Sequence, residues 1–158
     1  MNIKADGKLD MKDSVLKDFD VVLASIHSGF KDDIEKITMR MLSALENENV
    51  DILAHPSGRL LLERSGYEFD LPRVIDKAIS TGTVLEIDAH ANRLDLNDEK
   101  AMQAIRAGCK LSIDTDSHES SELDFMHLGV FQARRAWVEK KDVIGCLSYR
   151  ELVRFLSS

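Results

Sequence analysis

The hydrophobic positions of the chain follow two patterns, and each pattern predicts a different element. Short, nearly continuous apolar runs rich in Val, Ile and Leu predict buried strands. Four such runs occur, at residues 20–27, 50–55, 83–90 and 110–116. Because each run is apolar along almost its whole length, we expect parallel strands covered by helices on at least one face, rather than a half-solvated antiparallel sheet.

Between and after these runs, apolar residues recur every three to four positions, which predicts amphipathic helices. The predicted helices span residues 32–45, 70–80, 97–107, 121–138 and 148–156. Asn97 is a good amino-terminal cap for the third, and Ser148 with Glu151 forms a capping box for the last. The repeated order of strand and helix predicts an α/β fold.

Composition limits the classes of function. The 158 residues are 44% hydrophobic and 31% charged, which is typical of one globular domain, and we treat residues 1–158 as a single domain. The net charge of -7 argues against bulk attraction to nucleic acid, so any DNA contact must be local. No apolar run approaches the ~18 residues that cross a bilayer, and the start lacks a secretory signal, so we expect a cytoplasmic protein without a membrane partner. Two distant cysteines indicate neither a disulfide framework nor a cysteine zinc site.

Each predicted strand ends in a histidine or has one two residues later. Four of the five histidines are placed in this way: His27, His55, His90 and His118. The carboxyl ends of parallel strands meet on one face, and imidazoles with carboxylates are ligands that zinc, manganese or iron accepts. Asp116 and His118 lie one residue apart, so extended chain points both side chains the same way. A lone histidine at a strand end is more often structural, and the pattern alone leaves both interpretations open.

The segments at these strand ends resemble a known family. VVLASIHSGF, ILAHPSGRLL, LEIDAHANRLDL and IDTDSHE occur in the order and spacing of PHP (polymerase and histidinol phosphatase) domains. NRLDLND and LGVFQARRAWVEKKDVI are similar to segments of the PHP domains of bacterial and archaeal family X DNA polymerases. The resemblance covers essentially the whole chain.

The resemblance implies a fold and a set of metal ligands. The family fold is a distorted (βα)7 barrel with up to three divalent ions, and this chain resembles its later part, with Mn or Zn as the expected metals. The implied ligands are His27, His55, Asp116 and His118. Earlier family motifs, including a His-x-His pair and a glutamate that bridges two metals, do not occur. We therefore expect the chain to begin inside the family domain and, with no more than two protein ligands for any ion, to bind metal weakly.

Two further features concern charge beside the expected site. Asp88 and His90 stand where the family commonly has EINA with Asn and Pro nearby. Three alternatives are open for Asp88: it replaces the hydrogen bonds of an amide by a charge, it adds a metal ligand together with His90, or it is a tolerated neighbour of the site. Arg59 and Arg93 follow strand ends, where a guanidinium can bind substrate phosphate oxygens. The alternative for both arginines is an ion pair with a nearby carboxylate, such as Glu63 or Asp95.

The function implied by the resemblance is metal-dependent hydrolysis of phosphate esters. In family X polymerases this means 3'-5' exonuclease or repair-type processing of DNA, and the expected partners are DNA, the missing amino-terminal PHP segment and the polymerase core. Alone, the chain is expected to have little or no activity. One alternative is an incomplete module that binds metal weakly or self-associates through an open sheet edge. Another is a phosphatase for a small ester such as histidinol phosphate.

Overall fold

A four-stranded parallel sheet forms the centre of the computed structural model, which describes residues 1–156. The strands lie in chain order: β1 (Leu23–Ala24), β2 (Ile52–Leu53), β3 (Val84–Asp88) and β4 (Leu111–Asp114). All three neighbouring pairs are parallel, which confirms the predicted α/β fold. The strands are shorter than predicted, because the residues that follow them leave the ladder and form the loops of the candidate site.

Single bridges continue the sheet at both edges. Asn2 pairs in parallel with Ser25 beside β1, and Val143 pairs in parallel with Leu111 beside β4. The amino-terminal segment is fixed by backbone hydrogen bonds, of 2.8 Å from Ile3 N to Ser25 O and 2.9 Å from Ser25 N to Met1 O. The outer strands are therefore partly covered.

The described residues form six α-helices around the sheet: α1 (Asp13–Leu16), α2 (Ile34–Leu45), α3 (Leu71–Thr81), α4 (Asp98–Ala107), α5 (Met126–Arg135) and α6 (Tyr149–Leu156). The predicted helices 32–45, 70–80 and 97–107 are confirmed to within two residues, and Asn97 caps α4 by accepting from Lys100 N at 2.9 Å. The predicted helix 121–138 is wrong in its limits: Ser120–Phe125 is a 3-10 helix, and α5 follows it. Helix α1, which sequence analysis missed, has only four residues.

The two faces of the sheet differ in polarity. One face buries Leu53, Leu85 and Leu111 against α2, α3 and α4 in the main core. On the other face, Ile52 and Val84 form a smaller apolar cluster with Ile144, against which Leu152 and Phe155 of α6 pack. This second face becomes polar toward the carboxyl ends of the strands, where the candidate site lies. Within residues 1–156 no helix has the length and apolarity that crossing a bilayer requires.

Candidate functional site

Two predicted metal ligands, His27 and His55, lie side by side at the ends of neighbouring strands. Their ring centroids are 5.3 Å apart and the rings meet edge to face. His55 is 5% exposed, and among the described residues its Nδ1 has no hydrogen-bond partner. Its backbone N–H donates to a carboxylate oxygen of Glu86, while His27 Nε2 lies 3.2 Å from Ser25 Oγ. The structure thus provides an unused ring nitrogen on His55.

The surroundings of both imidazoles favour the neutral form. Burial, followed by the charges of Arg93 and His27, lowers the pKa of His55 to about 4. Burial also has the largest effect on His27, where the amino terminus and Arg93 lower the pKa further and Asp116 raises it. Because metals bind deprotonated imidazole, both rings have the protonation state of ligands at neutral pH.

Asp116 lies beside Arg93 rather than free in solvent. The distance from Arg93 Nε to Asp116 Oδ2 is 3.3 Å, and the same Nε is 3.2 Å from Asp88 Oδ2. Asp88 is fully buried, and burial is the main cause that raises its pKa to about 7. The role of Asp88, which the sequence left open, includes this ion pair.

His118 and His90 form a second group, joined by Glu122. The backbone N–H of His118 donates to Glu122 Oε2 at 2.6 Å, and His90 Nε2 lies 3.3 Å from Glu122 Oε1. The His118 ring turns toward its own segment, with Nδ1 2.7 Å from Asp116 O. Glu122 was missed by sequence analysis, because the 3-10 helix that positions it was predicted as ordinary α-helix.

The predicted phosphate ligands Arg59 and Arg93 have different surroundings. Arg59 donates through Nε to Arg93 O at 2.7 Å and through Nη2 to Leu94 O, so it supports the backbone of the loop that carries Arg93. Arg93 makes its two ion pairs through Nε, and its guanidinium forms no hydrogen bond within residues 1–156. Arg93 thus has the ion pair with a nearby carboxylate that was the alternative for both arginines, but its partners are Asp88 and Asp116 rather than Glu63 or Asp95. Within residues 1–156, Arg59 forms no ion pair and binds carbonyls instead.

Buried carboxylates lie on the polar face of the sheet, close to the carboxyl ends of the strands. Glu86 is 2% exposed; burial raises its pKa, and the hydrogen bond to Asp114 and the charge of Asp114 raise it further. Glu86 pairs with Ser112, and Asp88 with Asp114, in the ladder between β3 and β4. A signal was available, because LEID and LSID place polar residues at alternate positions, which lie on one face of a sheet.

The donor set fits only part of a metal shell. His27 and His55 are neutral, adjacent and suited to a divalent ion. Within residues 1–156, however, no group of three or more His, Cys, Asp or Glu side chains is arranged to hold a metal ion. Any complete shell therefore needs donors beyond the side chains that these residues bring together.

Fold and site define an α/β domain with neutral imidazoles, carboxylates and an arginine at the carboxyl ends of a parallel sheet. The chain is 45% identical over 156 residues to the DNA polymerase/3'-5' exonuclease PolX of Bacillus subtilis, covering 99% of the chain and 27% of that protein. It is 29% identical over 127 residues to a probable phosphatase of Thermoanaerobacter sp. (75% of the chain, 49% of the relative) and 29% identical over 150 residues to a probable phosphatase of Shewanella sediminis (89% and 56%).

These relatives confirm the resemblance predicted from the four strand-end motifs. The chain is a PHP-type, phosphoesterase-like domain related to family X DNA polymerases. It spans about a quarter of the Bacillus protein and about half of the two phosphatases, at 27%, 49% and 56% of their lengths. No protein-family profile matches the chain.

Proposed function

We propose that the chain is the later part of a PHP barrel that hydrolyses phosphodiester bonds in DNA with a 3'-5' polarity. The observation that carries this proposal is the pair of neutral imidazoles, His27 and His55, at adjacent strand ends beside Asp116 and Arg93. The parallel strand order and the single bridges at both edges support a larger barrel, of which residues 1–158 are a part that lies within a single domain. The name of the Bacillus relative supports the exonuclease polarity.

In this proposal each predicted site residue at the strand ends has a role. His27 and His55 hold one divalent ion, Mn or Zn, while Asp116 and His118 contribute to other ions of the family site. A bound ion supplies Lewis acidity, which lowers the pKa of water and offsets charge on phosphoryl oxygens. Arg93 binds phosphate, because its guanidinium forms no hydrogen bond in the described residues, whereas Arg59 is committed to two carbonyls. The remaining ligands come from outside residues 1–156.

The first test is metal content. The untagged chain is equilibrated against Mn2+ or Zn2+ and compared with a His27→Ala/His55→Ala double variant by elemental analysis and calorimetry. We expect weak, saturable binding that the double variant loses. His127→Ala is the matched control, because His127 is an exposed histidine of α5 that lies outside the proposed ligand set. Equal metal uptake by all three proteins contradicts the proposed ligands.

Substrate class needs a separate test, because two relatives are named as probable phosphatases. That observation supports the second candidate, a phosphatase for a small monoester. A longer chain that includes the preceding PHP segment and the polymerase core is assayed on a single-stranded oligonucleotide and on p-nitrophenyl phosphate. Faster turnover of the oligonucleotide supports the nuclease, and faster turnover of the monoester supports the phosphatase. The 158-residue chain alone is expected to hydrolyse neither at a measurable rate.

A third candidate is an incomplete module for weak metal binding or association. It is supported by the described residues, which gather no group of three or more metal-binding side chains. This candidate predicts a longer protein that remains inactive on both substrates with Mn2+ or Zn2+ present. For all three candidate functions we propose a cytoplasmic location.

A further inference from the structure

The loop after β2 carries an apolar tip at residues 60–64, which we call the leucine tip. Leu60 and Arg64 close it as an antiparallel bridge, with hydrogen bonds of 2.9 Å from Leu60 N to Arg64 O and 2.7 Å from Arg64 N to Leu60 O. Leu62 at its centre is fully exposed, and Leu61 beside it is 37% exposed. The bridge thus holds the backbone of a loop that presents a leucine side chain to solvent.

The backbone of Leu62 has a conformation that leucine disfavours. Its φ of 66° lies in the left-handed region, which glycine or asparagine adopts at lower cost. A fully exposed leucine also buries no apolar surface, so this side chain contributes nothing to the core. Residues held in such disfavoured conformations are concentrated at binding sites. Folding alone therefore does not explain a leucine at this position.

The leucine tip is joined to the loop that carries Arg93. Leu61 N donates to Asn92 O at 2.6 Å, so the two loops are hydrogen-bonded one residue away from both Leu62 and Arg93. Directly before the tip, Arg59 donates to the carbonyls of Arg93 and Leu94. The tip therefore lies beside the proposed phosphate ligand.

The two joined loops are locally basic on an acidic chain. Residues 59–64 and 91–94 contain three arginines and one glutamate, whereas the whole chain has a net charge of -7. Within residues 1–156, neither Arg59 nor Arg64 forms an ion pair; both bind backbone carbonyls, and the Arg64 guanidinium lies 4.1 Å from the centroid of the Phe30 ring. An exposed apolar side chain with positive charge around it fits a ligand that carries anionic and apolar groups side by side. Single-stranded DNA has both, in its phosphates and its bases.

We propose that Leu62 contacts a nucleobase of the single DNA strand whose phosphate Arg93 binds. The inference rests on the proposed function, because it takes Arg93 to be the phosphate ligand. A strand held at Arg93 carries a base beside each phosphate, and apolar side chains bind DNA by lying against or between bases. A membrane surface suits the leucine tip less well, because one fully exposed leucine buries little apolar area in a bilayer.

The test compares two fluorescent oligonucleotides of equal length, one with bases and one abasic throughout, by anisotropy on the 158-residue chain. We expect wild type to bind the strand with bases about fivefold more tightly than the abasic strand. Leu62→Asn, which suits the left-handed backbone, is expected to bind the strand with bases about fivefold more weakly than wild type and to bind the abasic strand within about twofold of wild type. Its salt slope should not change, because no phosphate contact is lost, whereas Arg93→Gln weakens the binding of both strands.

Ile79→Gln is the control, because Ile79 is an exposed aliphatic residue of α3, and it should change neither affinity. Equal binding of both strands by wild type, or equal weakening of both by Leu62→Asn, overturns the inference. A salt slope that depends on Arg93 then leaves the proposed function standing. Absence of saturable binding of either strand overturns the inference and the proposed DNA contact together. Binding to vesicles of phosphatidylcholine and phosphatidylserine that only Leu62→Asn abolishes, with both strands bound as by wild type, assigns the tip to a membrane and also overturns the inference.

Discussion

Asp95 ties two loops of the candidate site together. Its carboxylate accepts from Ser57 N at 3.0 Å and from Ser57 Oγ at 2.7 Å, and burial raises its pKa above the ordinary value of 3.8. The folded chain therefore holds a proton on Asp95 more tightly than the unfolded chain does. The sign follows: the stability due to this group is largest at low pH and falls as pH rises through the raised pKa.

Replacing Asp95 by Asn is expected to change this pH dependence. Asn keeps an acceptor for Ser57 without the charge, so the free energy of unfolding of the variant, relative to wild type, should rise between pH 4.5 and pH 8. Urea unfolding at both pH values measures the difference. Ser57→Ala is the companion variant; it removes one donor from a buried carboxylate and should cost about 1–3 kcal/mol. If the free energies of unfolding of Asp95→Asn and wild type differ by the same amount at both pH values, the raised pKa of Asp95 is contradicted.

At the scale of single residues, the sequence predicts some neighbours and misses others for physical reasons. His27 and His55 were placed together because parallel strands end on one face, and they are adjacent. The contact of Arg93 with Asp88 depends on a loop whose course no periodicity encodes. Glu122 reaches His90 only because a short 3-10 helix brings it there. Such contacts are set by tertiary structure rather than by spacing.

Helix α5 packs onto the end of the sheet through a glycine. A Cβ at Gly129 would lie 2.6 Å from Ile113 Cγ2 and 2.7 Å from Ala89 Cβ. Ile113 belongs to β4, and Ala89 directly follows β3. We predict that Gly129→Ala destabilises the chain by about 1–3 kcal/mol through overpacking, despite alanine's better helix propensity. Gly145→Ala is the control, because nothing lies within 4 Å of a Cβ there. Chemical denaturation measures the free energy of unfolding of both variants. Equal stabilities of the two variants would contradict the close packing at Gly129.

Helix α2 carries a buried arginine that joins three segments. Arg40 is 2% exposed and donates to Ile3 O at 2.8 Å, Lys4 O at 3.0 Å and Ser28 O at 2.9 Å. Ser28 directly follows His27, so this arginine also fixes the loop after β1 that carries His27. Arg40→Met should cost about 3–5 kcal/mol, because the three carbonyls lose their donor.

The control for Arg40 is Arg73→Met on α3. Arg73 pairs with Glu35 at 2.6 Å, but both side chains are exposed to solvent, so the loss should be much smaller than that of Arg40→Met. Thermal unfolding of the two variants provides the comparison. Similar losses would show that Arg40 contributes no more than an exposed ion pair.

At the scale of elements, the prediction succeeded where local chemistry sets the boundary. Asn97 caps α4 and Gly108 ends it in the left-handed conformation, so the sequence predicts both ends of this helix. Residues 121–138 carry no such stop signal. The hydrogen bonds from the backbone N–H groups of His118 and Glu119 to Glu122 fix the start of the 3-10 helix, and α5 follows it at Met126. Strand lengths were overestimated because an apolar run continues past the last ladder pair.

The whole molecule has an incompletely covered sheet. Within residues 1–156 each outer strand is covered by a single bridge, at Asn2 and at Val143. Phe131 on α5 is 54% exposed, and Trp137, two residues beyond α5, is 79% exposed. We predict concentration-dependent self-association in sedimentation velocity. If these two exposed aromatic side chains mediate it, Phe131→Glu/Trp137→Glu abolishes it and Val15→Glu on α1 does not. Association that survives both variants points to the sheet edges, whereas a monomer at all concentrations contradicts the prediction.

The overall charge of -7 restricts how the domain can bind a polyanion. For single-stranded DNA, a plot of log K against the logarithm of the salt concentration has a slope of about -0.7 for each phosphate that the protein neutralises. The slope therefore measures the number of phosphate contacts. Because Arg59 is committed to carbonyls, we expect one or two contacts and a slope of about -0.7 to -1.4 for a fluorescent oligonucleotide measured by anisotropy.

Arg93→Gln should make the salt slope shallower by about 0.7, because Arg93 is the proposed phosphate ligand. Arg150→Gln, which changes an exposed arginine on α6, should leave the slope unchanged. A slope steeper than about -3 in every variant would contradict the local contact, since several other cations would then have to bind the strand. On a chain with this net charge, a shallow slope that depends on Arg93 means that DNA is held at the strand ends rather than by a basic surface.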